Sequence, residues 1–127
     1  MDGIDKPFTI ELNGSPIANV GNNAEDRTQA KTGSEAAVFT LKNGLLQHEG
    51  WVLGRNRTEN RSFLPKEVYW YKSDADDDKR VQPVAAHQEG DNIQLTFGGS
   101  SLMLNDDKVF ADLSGDHTTE VVVKFQS

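Results

Sequence analysis

The chain contains no cysteine, so disulfides, thiolate metal sites and cysteine nucleophiles are all excluded. Its 127 residues are still enough to bury one core without covalent staples, and too few for two ordinary domains. Positive charge is scarce: 13 Lys and Arg stand against 20 Asp and Glu, a net charge of -7. Such a chain is poorly matched to nucleic-acid phosphates, so nucleic acid is not expected as a partner. No apolar run is long enough to cross a bilayer, and the opening MDGIDKPFTI has neither the basic start nor the apolar block of a signal peptide. A phosphate-binding loop, a dinucleotide glycine fingerprint and a G-x-S-x-G nucleophile elbow are also missing. No cofactor is implied. A hydrolytic mechanism would need paired carboxylates, and the 20 acidic residues single out no pair.

What the chain does have is alternation. Phe8, Ile10 and Leu12 alternate with polar neighbours, and so do Phe39 and Leu41, then Ile93, Leu95 and Phe97; Val121, Val123 and Phe125 keep the same spacing. This is the period-two pattern of half-buried strands. Turn-forming pairs separate the runs, among them Asn13-Gly14, Asn43-Gly44 and Gly98-Gly99. Further strands are expected at Ile17 to Val20, Leu45 to Leu53, Glu67 to Lys72, Val81 to His87, Leu102 to Leu104 and Val109 to Leu113. The sum is one all-β domain over residues 1–127, an antiparallel β-sandwich or barrel of about ten strands, with a β-trefoil as the alternative. No window has helical spacing, and the polar stretch 22–35 reads as one long loop.

Candidate chemistry is thin. Asp74, Asp76 and Asp78 sit at the spacing of the first three ligands of an EF-hand, but Lys79 stands where glycine is needed and Ala85 where the bidentate glutamate belongs. A solvated hairpin loop is the expectation there. His48, His87 and His117 form no short metal motif, and no metal site is expected. Catalytic residues are not identifiable.

The strongest binding signal is the aromatic run Val68-Tyr69-Trp70-Tyr71, on which Tyr69 and Tyr71 share one face of a strand and Val68 and Trp70 the other. With Trp51 and the basic loop that starts at Arg55, the tyrosines suit a sugar, whose apolar face stacks on aromatic rings while polar neighbours meet its hydroxyls. Three sequons, at Asn13, Asn56 and Asn60, exceed the about one expected by chance from nine Asn and sixteen Ser plus Thr. They favour a secreted or cell-surface location over a cytoplasmic one, and mark those three residues as glycosylation candidates.

The run AAVFTLKNGLLQHEGWVLGR, followed by GDNIQLTF and KVFADLSG, resembles the pattern of small secreted fungal surface proteins, including the phialide-associated cell-wall group. Phe39, Leu41, Gly44 and Leu46 carry the first strand and hairpin, and Asp91 to Phe97 the second. The likeness covers at most the C-terminal two thirds of the chain, which departs from that group in lacking cysteine. It implies a wall-associated or extracellular β protein without catalytic activity, and carries over no functional residue. The expected function is therefore a non-enzymatic surface protein that binds carbohydrate or a cell-wall polymer. A small β-barrel enzyme (isomerase, cyclase or hydrolase) and an effector or inhibitor directed at a host protein are the alternatives.

Overall fold

The computed structural model describes residues 3–20, 25, 27–57, 59, 64–73, 77–90, 92–113 and 119–126. The strands are β1 (Ile4–Leu12), β2 (Ser15–Pro16), β3 (Thr28–Gln29), β4 (Phe39–Lys42), β5 (Leu45–His48), β6 (Trp51–Arg55) and β7 (Lys66–Lys72). After one helical turn, α1 (Asp77–Arg80), come β8 (Val84–Glu89), β9 (Asn92–Phe97), β10 (Ser101–Asn105), β11 (Lys108–Asp112) and β12 (Val121–Phe125). The all-β expectation holds.

One antiparallel sheet runs in the order β10-β11-β7-β6-β5-β4-β1-β12 and curls into a half-barrel, with β2 added to β1 and β3 to β7. The β8–β9 hairpin stands apart from this ladder. Among the described residues the four-strand meander from β4 to β7 is not repeated, so no threefold plan of a trefoil is seen there.

Inward residues of alternate positions build the core. Phe8, Ile10 and Leu12 of β1 and Phe39 of β4 are fully buried, and the Trp70 ring stacks on Phe39 at 5.6 Å and 11°. Trp51 meets Trp70 edge-on at 6.5 Å. Leu95 and Phe97 of β9 complete the same cluster from the hairpin side.

Two expected elements differ. Leu45 to Leu53 is not one strand but the β5–β6 hairpin, because Glu49 and Gly50 both take positive φ (40° and 83°), the geometry of a two-residue turn that follows strand twist. Ile17 and Ala18 form only single bridges, to Thr32 and Ala36.

The polar stretch 22–35 is not a free loop either. Residues 22–24 and 26 lie outside the described residues, but β3 pairs with β7, and Ala30 is buried between the Val68 carbonyl, which its N–H reaches at 2.8 Å, and the Val109 N–H, which donates to its carbonyl at 3.0 Å. Hydrogen bonds from the main chain, which side-chain polarity does not report, hold it in place.

Candidate functional site

Register decides which side chains can act together. In the β6–β7 pair, Trp51 faces Lys72, Leu53 faces Trp70 and Arg55 faces Val68, while Val52 faces Tyr71 and Gly54 faces Tyr69. Opposite residues share a face. Trp51 and Arg55 therefore point inward with Trp70 and Val68, and Tyr69 and Tyr71 point outward, so the four expected ligand residues do not form one surface.

Tyr71 is outward but covered. The connection from β7 to β8 folds back over β6, placing Val81 against Gly54 and Val52 and the Arg80 guanidinium 5.2 Å from the Tyr71 ring. Tyr71 is 1% exposed. Its phenol is pushed up by burial, against the pull of Arg27, which does not reach hydrogen-bond geometry: the hydroxyl has no hydrogen-bond partner among the described residues. A two-tyrosine stacking platform is thus not available, which corrects that expectation. Tyr69 stays half-exposed, edge-on to Tyr71 at 6.2 Å, and its hydroxyl donates to the Glu67 carboxylate. Burial first, then Glu67, raises its pKa to about 12.

Arg55 is 6% exposed, and its fork is occupied. Nε and Nη2 donate to Glu59 at 3.2 and 2.6 Å, and Nη1 donates to the carbonyls of Phe97 and Gly98 at 2.9 and 3.1 Å. Gln82 joins through its Nε2, which reaches Glu59 at 3.3 Å and the Asn56 carbonyl at 2.9 Å. The group clamps β6 to the turn between β9 and β10, a structural use for a residue that read as a ligand contact. Trp51 is half-buried under the Lys72 ammonium, 5.8 Å from its ring centre.

His48 is buried, with Nδ1 2.8 Å from the Val38 carbonyl and Nε2 3.0 Å from the Asn19 side-chain oxygen. His87 is exposed on β8, and His117 lies outside the described residues, as do Asn60, Asp74 and Asp76. Asp78 belongs to α1 rather than to a hairpin loop. Among the described residues no group of His, Asp and Glu is assembled to hold a metal ion.

An opening lies elsewhere, along the seam between β9 and β12. No hydrogen bond joins these strands among the described residues. Val121, Val123 and Phe125 are register partners of the buried Leu12, Ile10 and Phe8 and so point inward, yet Phe125 is 45% exposed. With Ile93 and Leu95 of β9 they floor a cleft of about 420 Å³, whose polar edge is Gln94, Ser101, Thr119 and Glu120.

Backbone direction adds a second feature. Glu120 and Gln126 turn their N–H groups toward β1, so strand parity turns those of Val121, Val123 and Phe125 toward the seam. On β9, the Gly98 N–H meets Pro83 of the β8 side, which leaves Ile93 and Leu95 facing the seam in the same way. The cleft therefore combines an apolar floor with rows of unladdered amides. Alternation marked these residues as strand, but carries no signal that the opposite wall leaves them open.

Comparison of the chain with protein families, with curated proteins and with solved structures returns no match.

Proposed function

We propose that the protein is a secreted or cell-surface, non-enzymatic β protein of the kind the fungal wall resemblance implies, and that it binds carbohydrate in the β9–β12 seam. The observation that carries this reading is the amphipathic lining: Phe125 offers an exposed ring beside Ile93 and Val123, beneath the polar edge of Gln94, Ser101, Thr119 and Glu120. A sugar has the matching shape, an apolar ring face and a rim of hydroxyls. The sequons support the location. Paired acid and base groups, which the barrel-enzyme alternative needs, are not what this cleft offers: Glu120 is the one carboxylate lining it among the described residues.

Titration of the protein with soluble oligosaccharides, followed by calorimetry, tests the reading. Phe125→Ala is expected to weaken binding at least about tenfold with unfolding unchanged, whereas Tyr69→Ala leaves affinity intact. The reverse pattern would move the site to the tyrosine face.

A second reading, closer to a protein-directed effector, is favoured by one observation: the free amides of Val121, Val123 and Phe125 recur at strand spacing, as an extended peptide adding to an edge requires. Val123→Pro removes a seam-facing N–H without touching the β1 ladder. It would abolish peptide addition and spare a sugar stacked on Phe125.

A further inference from the structure

We propose that Asn13 is an N-glycosylation site, its carboxamide held by Glu120 just before β12 and its Nδ2 turned outward; this rests on the secretory location proposed above. Sequons are modified on the nascent chain, so the fold decides which modification it can keep. Asn13 opens the two-residue turn between β1 and β2 with φ of 52°, a left-handed conformation that asparagine tolerates. Its carboxamide is oriented rather than free to spin. Oδ1 accepts the Glu120 N–H at 2.9 Å, while the Asn13 N–H donates to the Glu120 carbonyl at 2.8 Å. Because the partner of the side chain is a donor, the atom facing it must be the oxygen. That turns Nδ2, which makes no hydrogen bond among the described residues, away from Glu120.

Asn13, Gly14 and Ser15 are all exposed, and a Cβ added at Gly14 would meet nothing within 4 Å. There is room for a sugar. Asn56 differs: it is half-buried, bridges to Val81, and its carbonyl accepts from Gln82 at 2.9 Å. Transfer at Asn13 would form an Nδ2–C1 bond in place of one Nδ2–H, as the C1–O bond to a lipid-linked diphosphate sugar donor breaks. The lipid diphosphate leaves, and the proton passes to a base of the transferase. The product keeps Oδ1 and so keeps the Glu120 contact.

The test is secretion of the full chain behind a cleavable leader from a host that performs N-glycosylation, followed by glycan release in heavy-oxygen water and peptide mapping. The expected result is heavy-oxygen aspartate at position 13 in most chains, its loss in Ser15→Ala, and an unchanged melting temperature in that variant. Secreted, folded protein with unmodified Asn13 would overturn the proposal and leave the seam-binding reading untouched. Modification at Asn13 in unmutated protein that binds none of the oligosaccharides would uphold the glycan and count against the seam.

Discussion

Strands β1 and β12 are hydrogen-bonded neighbours with the same inward spacing, but their surroundings differ. Phe8, Ile10 and Leu12 are fully buried, whereas Val121 and Val123 are half-buried and Phe125, edge-on to Phe8 at 6.2 Å, is 45% exposed. The β1 side chains are buried in one cluster with Phe39, Trp70 and Leu46. Those of β12 face β9, which reaches them with side chains but not with a ladder. Apolar alternation assigns a face to each residue, while the ladder around the barrel decides whether that face is closed. The closed wall supplies stability, and the seam is where a binding function can act without unfolding the protein.

The sharpest way to break this contrast is to cut both walls. Trp70→Ala removes a ring stacked on Phe39 and edge-on to Trp51, and should cost about 3–5 kcal/mol in urea unfolding. Val123→Ala in the seam should cost only about 1 kcal/mol. Similar losses would mean that the seam is closed in solution.

Next in size is the clamp that holds the hairpin to the closed wall. Arg55→Met takes the guanidinium from the Glu59 carboxylate, leaving it only Gln82 among the described residues, and from the carbonyls of Phe97 and Gly98, for a loss of about 3 kcal/mol. Amide exchange in β8 and β9 should quicken more than in β4–β7. Combined with Glu59→Gln, the loss should be smaller than the two single losses added, since both remove one pair.

Gly54→Ala sharpens the outer face. A Cβ there would stand 2.4 Å from Cγ1 of Val81, so the segment that covers Tyr71 must lift, at about 1–3 kcal/mol. Quenching of Tyr71 fluorescence by added iodide should rise if that segment lifts, and stay flat if the barrel itself shifts.

These expectations divide along what a sequence can carry. Strands such as β4, β9 and β12 were legible because one face of each is apolar, and the β1–β2 and β4–β5 turns because Asn-Gly suits two successive positive φ values. The β5–β6 turn was not, since Glu49 has no preference for positive φ. Ala30 was hidden for a different reason: its place is fixed by bonds to Val68 and Val109, not by its own side chain. At the site, alternation separated Tyr69 and Tyr71 from Trp70 correctly. Covering of Tyr71 by Arg80 and Val81, and occupation of Arg55 by Glu59, depend on where the connection after β7 crosses the sheet, and no local pattern encodes that crossing. The open seam was invisible for the same reason.

The smallest expected effect is also specific to the outer face. The chain has two tyrosines, and both phenols are raised above the ordinary 10.0, Tyr69 to about 12. Below pH about 10 folded and unfolded chains both keep these protons, so tyrosine adds no slope to stability. Above it the unfolded chain releases protons first, and stability falls as pH rises through the folded value of about 12 for Tyr69. Ultraviolet titration of the folded protein should therefore show less phenolate at pH about 10 than two free tyrosines, each half ionised there, would give. Glu67→Gln removes the charge beside Tyr69, leaving a neutral amide oxygen as the acceptor, and should lower its midpoint. Burial, the larger cause, remains, so the midpoint should stay above that of a free tyrosine. A fall all the way to the ordinary value would mean that Glu67 alone held the phenol, and that the Tyr69 side of the sheet is as open as the seam.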